Sequence, residues 1–262
     1  MKKTVLITGA AQGLGECLAR HYAANDYKVI GLDLNKEKME HLASEIDLHA
    51  FSVDVSSRES WEAVIGEIAE ITGGGLDVSI ANAGVLRMGS AVDVSDKDWD
   101  LLTRANFTGA MMTAKQTLPL LTKSKGNILF LGSISSNFAA ANDISYVATK
   151  HGVNGIMKSV ALDFGPKGVR SNMICPGWMK TPMSNEEMEG IMKRYDCSLD
   201  EAYALATKNL PLRRPAEMQE IAEVIYFVTS ERASFMTGVN LTVDGGGATV
   251  DVGMLALDAL SE

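Results

Sequence analysis

The chain is short of the residues that usually announce a special chemistry. Three cysteines, Cys17, Cys175 and Cys197, stand far apart in 262 residues with no CxxC pair, which argues against a disulfide framework or a thiolate metal site. Four histidines (His21, His41, His49 and His151) keep no metal-ligand spacing, so no metal is expected. Basic residues are the minority, 24 against 33 acids for a formal charge of −9, whereas a nucleic-acid-binding body would want the reverse. Long apolar runs are missing too. The run Val5-Leu6-Ile7, after Met1-Lys2-Lys3-Thr4, stops at Thr8-Gly9, too short for a signal-peptide core or a membrane span. The expectation is a reducing, cytoplasmic setting with no nucleic-acid or membrane partner. No repeat, low-complexity tract or Pro/Gly/Ser linker divides the chain.

What remains is ordinary globular material. Apolar residues make up 46% and charged residues 22%, which excludes disorder as the main state and allows a large core. Short apolar runs at 4–8, 28–32, 48–53, 76–80, 127–131, 169–174 and 239–243 read as buried strands. Between them lie amphipathic stretches at 13–24, 35–45, 57–71, 96–123, 146–165 and 215–230. This alternation predicts an α/β fold: a doubly wound parallel seven-stranded sheet with helices on both faces, in a single domain over 1–262. Segment 178–214 breaks the rhythm. It is 37 residues long and reads as helical pieces ending at Pro211 and Pro215. So long an excursion is usually functional, and it is read as a substrate lid inserted in the domain.

Three features carry chemistry. The first strand runs into Thr8-Gly9-Ala10-Ala11-Gln12-Gly13-Leu14-Gly15 and then a helix. Such glycines let backbone approach a pyrophosphate, whose charge sits well at a helix N-terminus. The spacing is G-x-x-x-G-x-G, and alone it fits an ordinary tight turn equally. Asp33, ending the second strand 18 residues after Gly15, is placed to accept from adenosine ribose hydroxyls and to repel a 2′-phosphate. No Arg or Lys lies in the turn, where Gln12 stands, and Leu34 follows Asp33. That pattern predicts NAD in preference to NADP. Second, Tyr146 and Lys150 are i and i+4, hence on one helix face. An ammonium there favours a phenolate, and an unperturbed phenol near pH 10 must drop by about 3 units, roughly 4 kcal/mol, to act as a base near neutrality. Lys150 and a positively charged nicotinamide together are the expected source of that shift. Third, Ser133 follows the fifth strand, at the carboxyl edge where ligands of such sheets gather. Ser135 and Ser136 stand close enough to compete for its role.

Taken together these residues resemble the short-chain dehydrogenase/reductase family, in its single-domain branch, from Thr4 to about Gly246. The resemblance rests on Thr8-Gly9-x-x-x-Gly13-x-Gly15, Asn82-Ala83-Gly84, Asn106, Ser133, Tyr146-x-x-x-Lys150, and Pro176-Gly177 with Thr181. The 13-residue step from Ser133 to Tyr146 is the family's usual one and favours Ser133 over Ser135. Ala81 is a departure, since many members carry Asn there. The resemblance implies a Rossmann-type fold and a hydride transfer between a secondary alcohol, cyclic or polyhydroxylated ones among the candidates, and its ketone. It implies Tyr146 as acid/base, Lys150 lowering its pKa and binding the nicotinamide ribose, Ser133 on the substrate oxygen, and Asn106 holding a relay water. Gly9, Gln12, Gly13, Leu14, Gly15, Asp33 and Leu34 would bind the cofactor. Asp54 and Val55 would meet the adenine, Asn82, Ala83 and Gly84 the adenosine ribose, and Pro176, Gly177 and Thr181 the carboxamide region. It also implies a homotetramer, or a dimer, built through the long fourth and fifth helices and the C-terminal region.

Substrate contacts are expected from Arg87 and Met88, Ser135, Asp143, Trp178, Met179 and Met183, with Met188, Met192, Tyr195 and Tyr203 also on the lid. Arg87 would pair with an acidic substrate or simply be solvated. Asp143, three residues before Tyr146, would bind a substrate hydroxyl. The tail carries Val250, Val252, Met254, Leu255, Leu257 and Leu260, read as an interface strip. Three other readings stand beside the dehydrogenase. They are a 3-oxoacyl-type carbonyl reductase, an epimerase or dehydratase holding the cofactor without net redox change, and a cofactor-binding regulator without catalysis.

Overall fold

The computed structural model describes residues 2–255. Seven strands form one sheet: β1 (Thr4–Thr8), β2 (Lys28–Asp33), β3 (Leu48–Ser52), β4 (Val78–Ala81), β5 (Asn127–Leu131), β6 (Arg170–Pro176) and β7 (Asn240–Val243). Their order is β3-β2-β1-β4-β5-β6-β7, every pair parallel. β1 is buried at all five positions, as a strand covered on both faces must be, and this is why it reads as a near-continuous apolar run.

Side chains alternate between the two faces. Leu6, Ile30, Ile128 and Phe130 pack with Trp61, Met112, Leu121, Val153 and Met157. Those partners come from α3 (Arg58–Glu62), α6 (Gly109–Ser124) and α7 (Ile144–Phe164), with Ile68 of α4 (Ile65–Ile71) beside them. Val5, Ile7, Val29, Ile80 and Leu129 pack on the other face. Their partners lie in α1 (Gly13–Ala24), α2 (Lys36–Glu45) and α10 (Met218–Thr229).

Chain order reverses between β2 and β4, which flank β1, and the crevice outside the strand ends there is where such sheets hold ligands.

Some boundaries differ from the sequence expectation. β4 starts at Val78 because Leu76 donates its N–H to Leu120 of α6, and the Asp77 carboxylate is spent on Thr4. The 57–71 stretch divides into α3 and α4. The 96–123 stretch is interrupted: α5 (Asp96–Leu102) passes into a π-helical segment, Thr103–Thr108, before α6. Among the described residues no helix is long and apolar enough to cross a membrane.

Segment 178–214 folds into α8 (Pro182–Tyr195) and α9 (Leu199–Thr207). Met188, Ala202 and Tyr203 are buried between them, with Trp178, Met192 and Cys197 packed around. Met188, Met192 and Tyr203 therefore build this segment's own core. Tyr195 is exposed, and of the methionines named on the segment Met179 and Met183 reach the cavity. A parallel bridge between Met179 and Ala216 and a bond from Leu212 N to Gly245 O fasten the two ends. In the tail Val252 and Met254 are exposed, while Leu257 and Leu260 lie outside the described residues.

Candidate active site

One cavity of about 1150 Å³ follows the carboxyl ends of the strands from Asp33 to Glu187. Gly9, Gln12, Gly13, Leu14, Gly15, Asp33, Leu34, Asp54, Val55, Asn82, Ala83 and Gly84 line one end. Ser133, Ser135, Asp143, Tyr146, Lys150, Pro176, Gly177, Trp178, Met179, Thr181 and Met183 line the other.

The first end is built by backbone. Gly9 adopts φ +67°, and a Cβ there would lie 2.8 Å from Ala83 Cα. Gly15 is tighter: its Cβ would sit 1.9 Å from Gly9 O. Asn82 Nδ2 donates to Thr8 O and Gly9 O at 2.9 and 3.1 Å, tying β4 to the glycine turn. Asp33 accepts from Ala11 N at 3.1 Å and Asn35 N at 2.9 Å. Asp54 accepts from Ser56 and, at 3.3 Å, from Arg104, a cation that the sequence did not single out.

The α1 N-terminus has no side-chain cap, although Gln12 occupies the capping position, so its leading N–H groups stay open toward the cavity. An uncapped helix start beside close-packed glycines, with a carboxylate at the next strand's end, fits a nicotinamide dinucleotide: the turn would hold the diphosphate and Asp33 the ribose. The glycine turn contains no Lys or Arg, but the fold brings one to it: Lys38 Nζ donates to Gln12 Oε1 at 2.7 Å.

The second end is built by side chains. Ser133 caps the short turn Ile134–Ser136, accepting from Ser135 N at 3.1 Å, and Ser136 Oγ accepts in return from Ser133 N at 3.3 Å. Ser136 is thereby buried. Ser133 and Ser135 both line the cavity, and it is the Ser133 hydroxyl that acts on the Tyr146 phenol. Lys150 is buried, donates to Leu131 O at 2.8 Å, and lies 5.4 Å from the Tyr146 ring centroid. Burial pulls the Lys150 ammonium down to about 8, so it keeps its charge at neutral pH. Burial also pushes the Tyr146 phenol well above its ordinary value, opposed by the Ser133 hydrogen bond. That direction is opposite to the one a base needs, and it holds before any cationic ring is bound.

Asn106 sits in the π-helical segment, where an extra residue per turn redirects side chains. Its Oδ1 accepts from Val85 N at 2.7 Å, and its Nδ2 donates to Val85 O at 2.9 Å and to Thr149 Oγ1 at 3.4 Å. The amide therefore clamps the chain after β4. Gly84 lies between it and Lys150: a Cβ there would be 3.3 Å from Asn106 Oδ1 and 3.8 Å from Lys150 Nζ.

Arg87 does not join the site. It is exposed and donates to the carbonyl of Leu86, while Met88 is 58% exposed beside it. Glu187 does join it, although no sequence motif marks it. The available signal was helical period: Glu187 is four residues after Met183, hence on the same face of α8. Among the described residues no cluster of His, Cys, Asp and Glu could hold a metal.

Comparison with known proteins bears on what this cavity serves. A family model described as Enoyl-(Acyl carrier protein) reductase matches residues 9–248. The trans-4-hydroxycyclohexanecarboxylate dehydrogenase of Sinomonas cyclohexanicum is 34% identical, covering 94% of this chain and 92% of its own. The meso-2,3-butanediol dehydrogenase of Serratia marcescens is also 34% identical, over 95% and 96%. Among solved structures, a variant of the actinorhodin polyketide ketoreductase with NADPH superposes with a TM-score of 0.87 at 27% identity, covering 94% of this chain and 97% of that one. Similarity of this extent, carried by this sheet order and by the motifs on its carboxyl edge, places the chain in the short-chain dehydrogenase/reductase family, oxidoreductases that work with NAD or NADP.

Proposed function

We propose that the protein is an NAD-dependent dehydrogenase that interconverts a secondary alcohol and its ketone, with Tyr146 exchanging the hydroxyl proton. The observation that carries this reading is the meeting of Ser133, Tyr146 and Lys150 in the same cavity as the glycine turn and Asp33. A binding module has no chemical need for that trio. Relatives named as alcohol and diol dehydrogenases support the same reaction class.

The glycine turn and Asp33 would hold NAD, which would supply the hydride acceptor for the carbinol carbon. The protein's own residues handle the oxygen. Ser133 Oγ hydrogen-bonds it, and Tyr146 Oη takes its proton. Lys150, anchored on Leu131 O, supplies the positive charge that favours the phenolate. Asp33 favours NAD, because a 2′-phosphate beside its carboxylate would meet like charge. Segment 178–214 acts as the lid, offering Trp178, Met179 and Met183 to the substrate.

Assembly belongs to the same reading. α6 and α7 leave an apolar groove lined by Met111, Leu118, Pro119, Ile156, Val160 and Phe164, which we assign to contact between copies of the chain. A monomeric mass in solution would remove that assignment.

The test of the chemistry is NADH absorbance with a panel of secondary alcohols. Tyr146→Phe should lose roughly a thousandfold in kcat, and Lys150→Met should move the acidic limb of the pH–rate profile for alcohol oxidation upward. Wild-type turnover matched by Tyr146→Phe would sink the proton-transfer role.

A further inference from the structure

Asp143 is 6% exposed, and its Oδ1 has no hydrogen-bond partner among the described residues. Aspartate is a favoured helix N-cap. Asp143 holds that position before α7, yet its carboxylate makes no capping bond. Backbone does the positioning instead. Asn142 takes φ +59°, Gly89 N donates to Asn142 O at 2.7 Å, and Ile144 N donates to Gly89 O at 3.3 Å. Gly89 and Asp143 thus pair in an isolated parallel bridge. A side chain at Gly89 would bring its Cβ to 2.9 Å from Val94 Cα, so the bridge depends on that glycine. The main chain is gripped on both sides of Asp143, and its carboxylate is left to line the cavity three residues from Tyr146.

Glu187 lines the same cavity from α8 and feels the charge of Asp143. Burial pushes Asp143 up to about 6 and Glu187 up to about 7, and both acids act on Tyr146. Lys150, the cation lining this end, is already committed to Leu131 O, and Arg87 lies outside. Two carboxyl groups are therefore held in the substrate end with a buried oxygen left unused.

We infer that Asp143 and Glu187 form an acceptor pair for a second hydroxyl of the substrate, so the substrate class is an uncharged vicinal diol or polyol. This deepens the dehydrogenase reading and rests on it: Ser133 and Tyr146 take the hydroxyl that is oxidised, and the acid pair takes its neighbour. A hydroxyl is donor and acceptor at once, so it can bond either carboxyl group whether that group is ionised or protonated, whereas an ammonium offers donors alone. An alcohol bearing its own carboxylate meets like charge in a poorly solvated pocket and is turned away.

The experiment compares vicinal cyclohexanediol, cyclohexanol, vicinal aminocyclohexanol and vicinal hydroxycyclohexanecarboxylate as substrates with NAD. Wild type should prefer the diol over cyclohexanol by about tenfold or more in kcat/KM. In Asp143→Asn with Glu187→Gln that ratio should fall toward one, mainly through KM, with the single variants between. Binding of the same compounds to the NADH-loaded protein, by calorimetry, gives a readout free of turnover.

A wild-type ratio near one overturns the proposal. So does a ratio that survives in the double variant, or better turnover of the amino alcohol or the hydroxy acid than of the diol. If no alcohol is turned over but the diol still binds about tenfold tighter than cyclohexanol, and loses that margin in the variants, the dehydrogenase reading fails and the acceptor pair stands. If binding does not discriminate either, both fall.

Discussion

At the glycine end of the cavity the polar side chains are already occupied: Asn82 by Thr8 and Gly9, Asp33 by Ala11 and Asn35, Asp54 by Ser56 and Arg104. At the tyrosine end they are held in reserve. Asp143 Oδ1 has no partner among the described residues, Glu187 is pushed up to about 7, and Lys150 is pulled down to about 8. One end is a mould set by backbone contacts, stable before any ligand arrives. The other leaves a buried carboxylate oxygen, Asp143 Oδ1, without a partner among the described residues. The physical cost falls on the second end, since a buried carboxylate without a hydrogen bond destabilises the fold that contains it.

The largest effect that could break this contrast belongs to the mould. In Gly15→Ala the new methyl would meet the Gly9 carbonyl at 1.9 Å, and backbone cannot swing aside as a side-chain tip can. The expected loss is about 3 kcal/mol or more of stability, with cofactor binding lost alongside. Thermal melting checks it. A variant that melts with wild type would mean the turn is pliable, and the two ends would no longer differ in kind.

The reverse sign is expected at the other end. Asp143 has an ordinary value of 3.8 when exposed and about 6 in the folded, ligand-free protein. Below about pH 3 the carboxyl is protonated in both states and costs nothing. Between about pH 4 and 6 the unfolded chain ionises first, so wild type loses stability as pH rises, and the deficit then stays constant. Asp143→Asn removes that ionisation. It should be more stable than wild type at pH 8 by about 2 kcal/mol, with the gain vanishing near pH 3. Urea unfolding at several pH values measures this. A gain that is absent, or independent of pH, would show that Asp143 is not held at a cost. Residues that serve ligands at the expense of the fold are a familiar source of such trade-offs.

The same contrast explains what could be read from the sequence. The mould is local: Gly9, Gly13 and Gly15 lie within one turn, and Asp33 ends the next strand, so spacing alone exposes them. The i, i+4 step from Tyr146 to Lys150 is local too. Strand positions were legible because a parallel sheet needs continuous apolar runs; β4 shifted because Asp77 and Leu76 are claimed by Thr4 and Leu120. The reserve end depends on distant segments meeting. Glu187 reaches Asp143 across 44 positions of sequence, Gly89 fixes Asp143 from another loop, and Arg87 turns away although its position after β4 looked right. The π-helical segment at Thr103–Thr108 was hidden for another reason, since apolar periodicity continues through it and one inserted residue leaves no compositional trace.

The smallest expected effect sharpens the comparison from within the mould. Asp33 is occupied by backbone N–H groups, yet its charge still faces the cavity, and Lys38 stands nearby on Gln12. The two have opposite consequences for a 2′-phosphate. Asp33 would repel it, and Lys38 would attract it. If the carboxylate decides the preference, Asp33→Ala should move the NAD-over-NADP ratio of kcat/KM by roughly tenfold toward NADP, about 1.4 kcal/mol. Because Asp33 also bonds Ala11 and Asn35, some stability will go with it, and that loss affects both cofactors alike. The ratio therefore isolates the charge. Adding Lys38→Ala to the variant should withdraw most of the gain for NADP. An unchanged ratio in Asp33→Ala would remove the role given to that carboxylate. A changed ratio that Lys38→Ala does not touch would leave Asp33 as the discriminator and reduce Lys38 to a contact of Gln12.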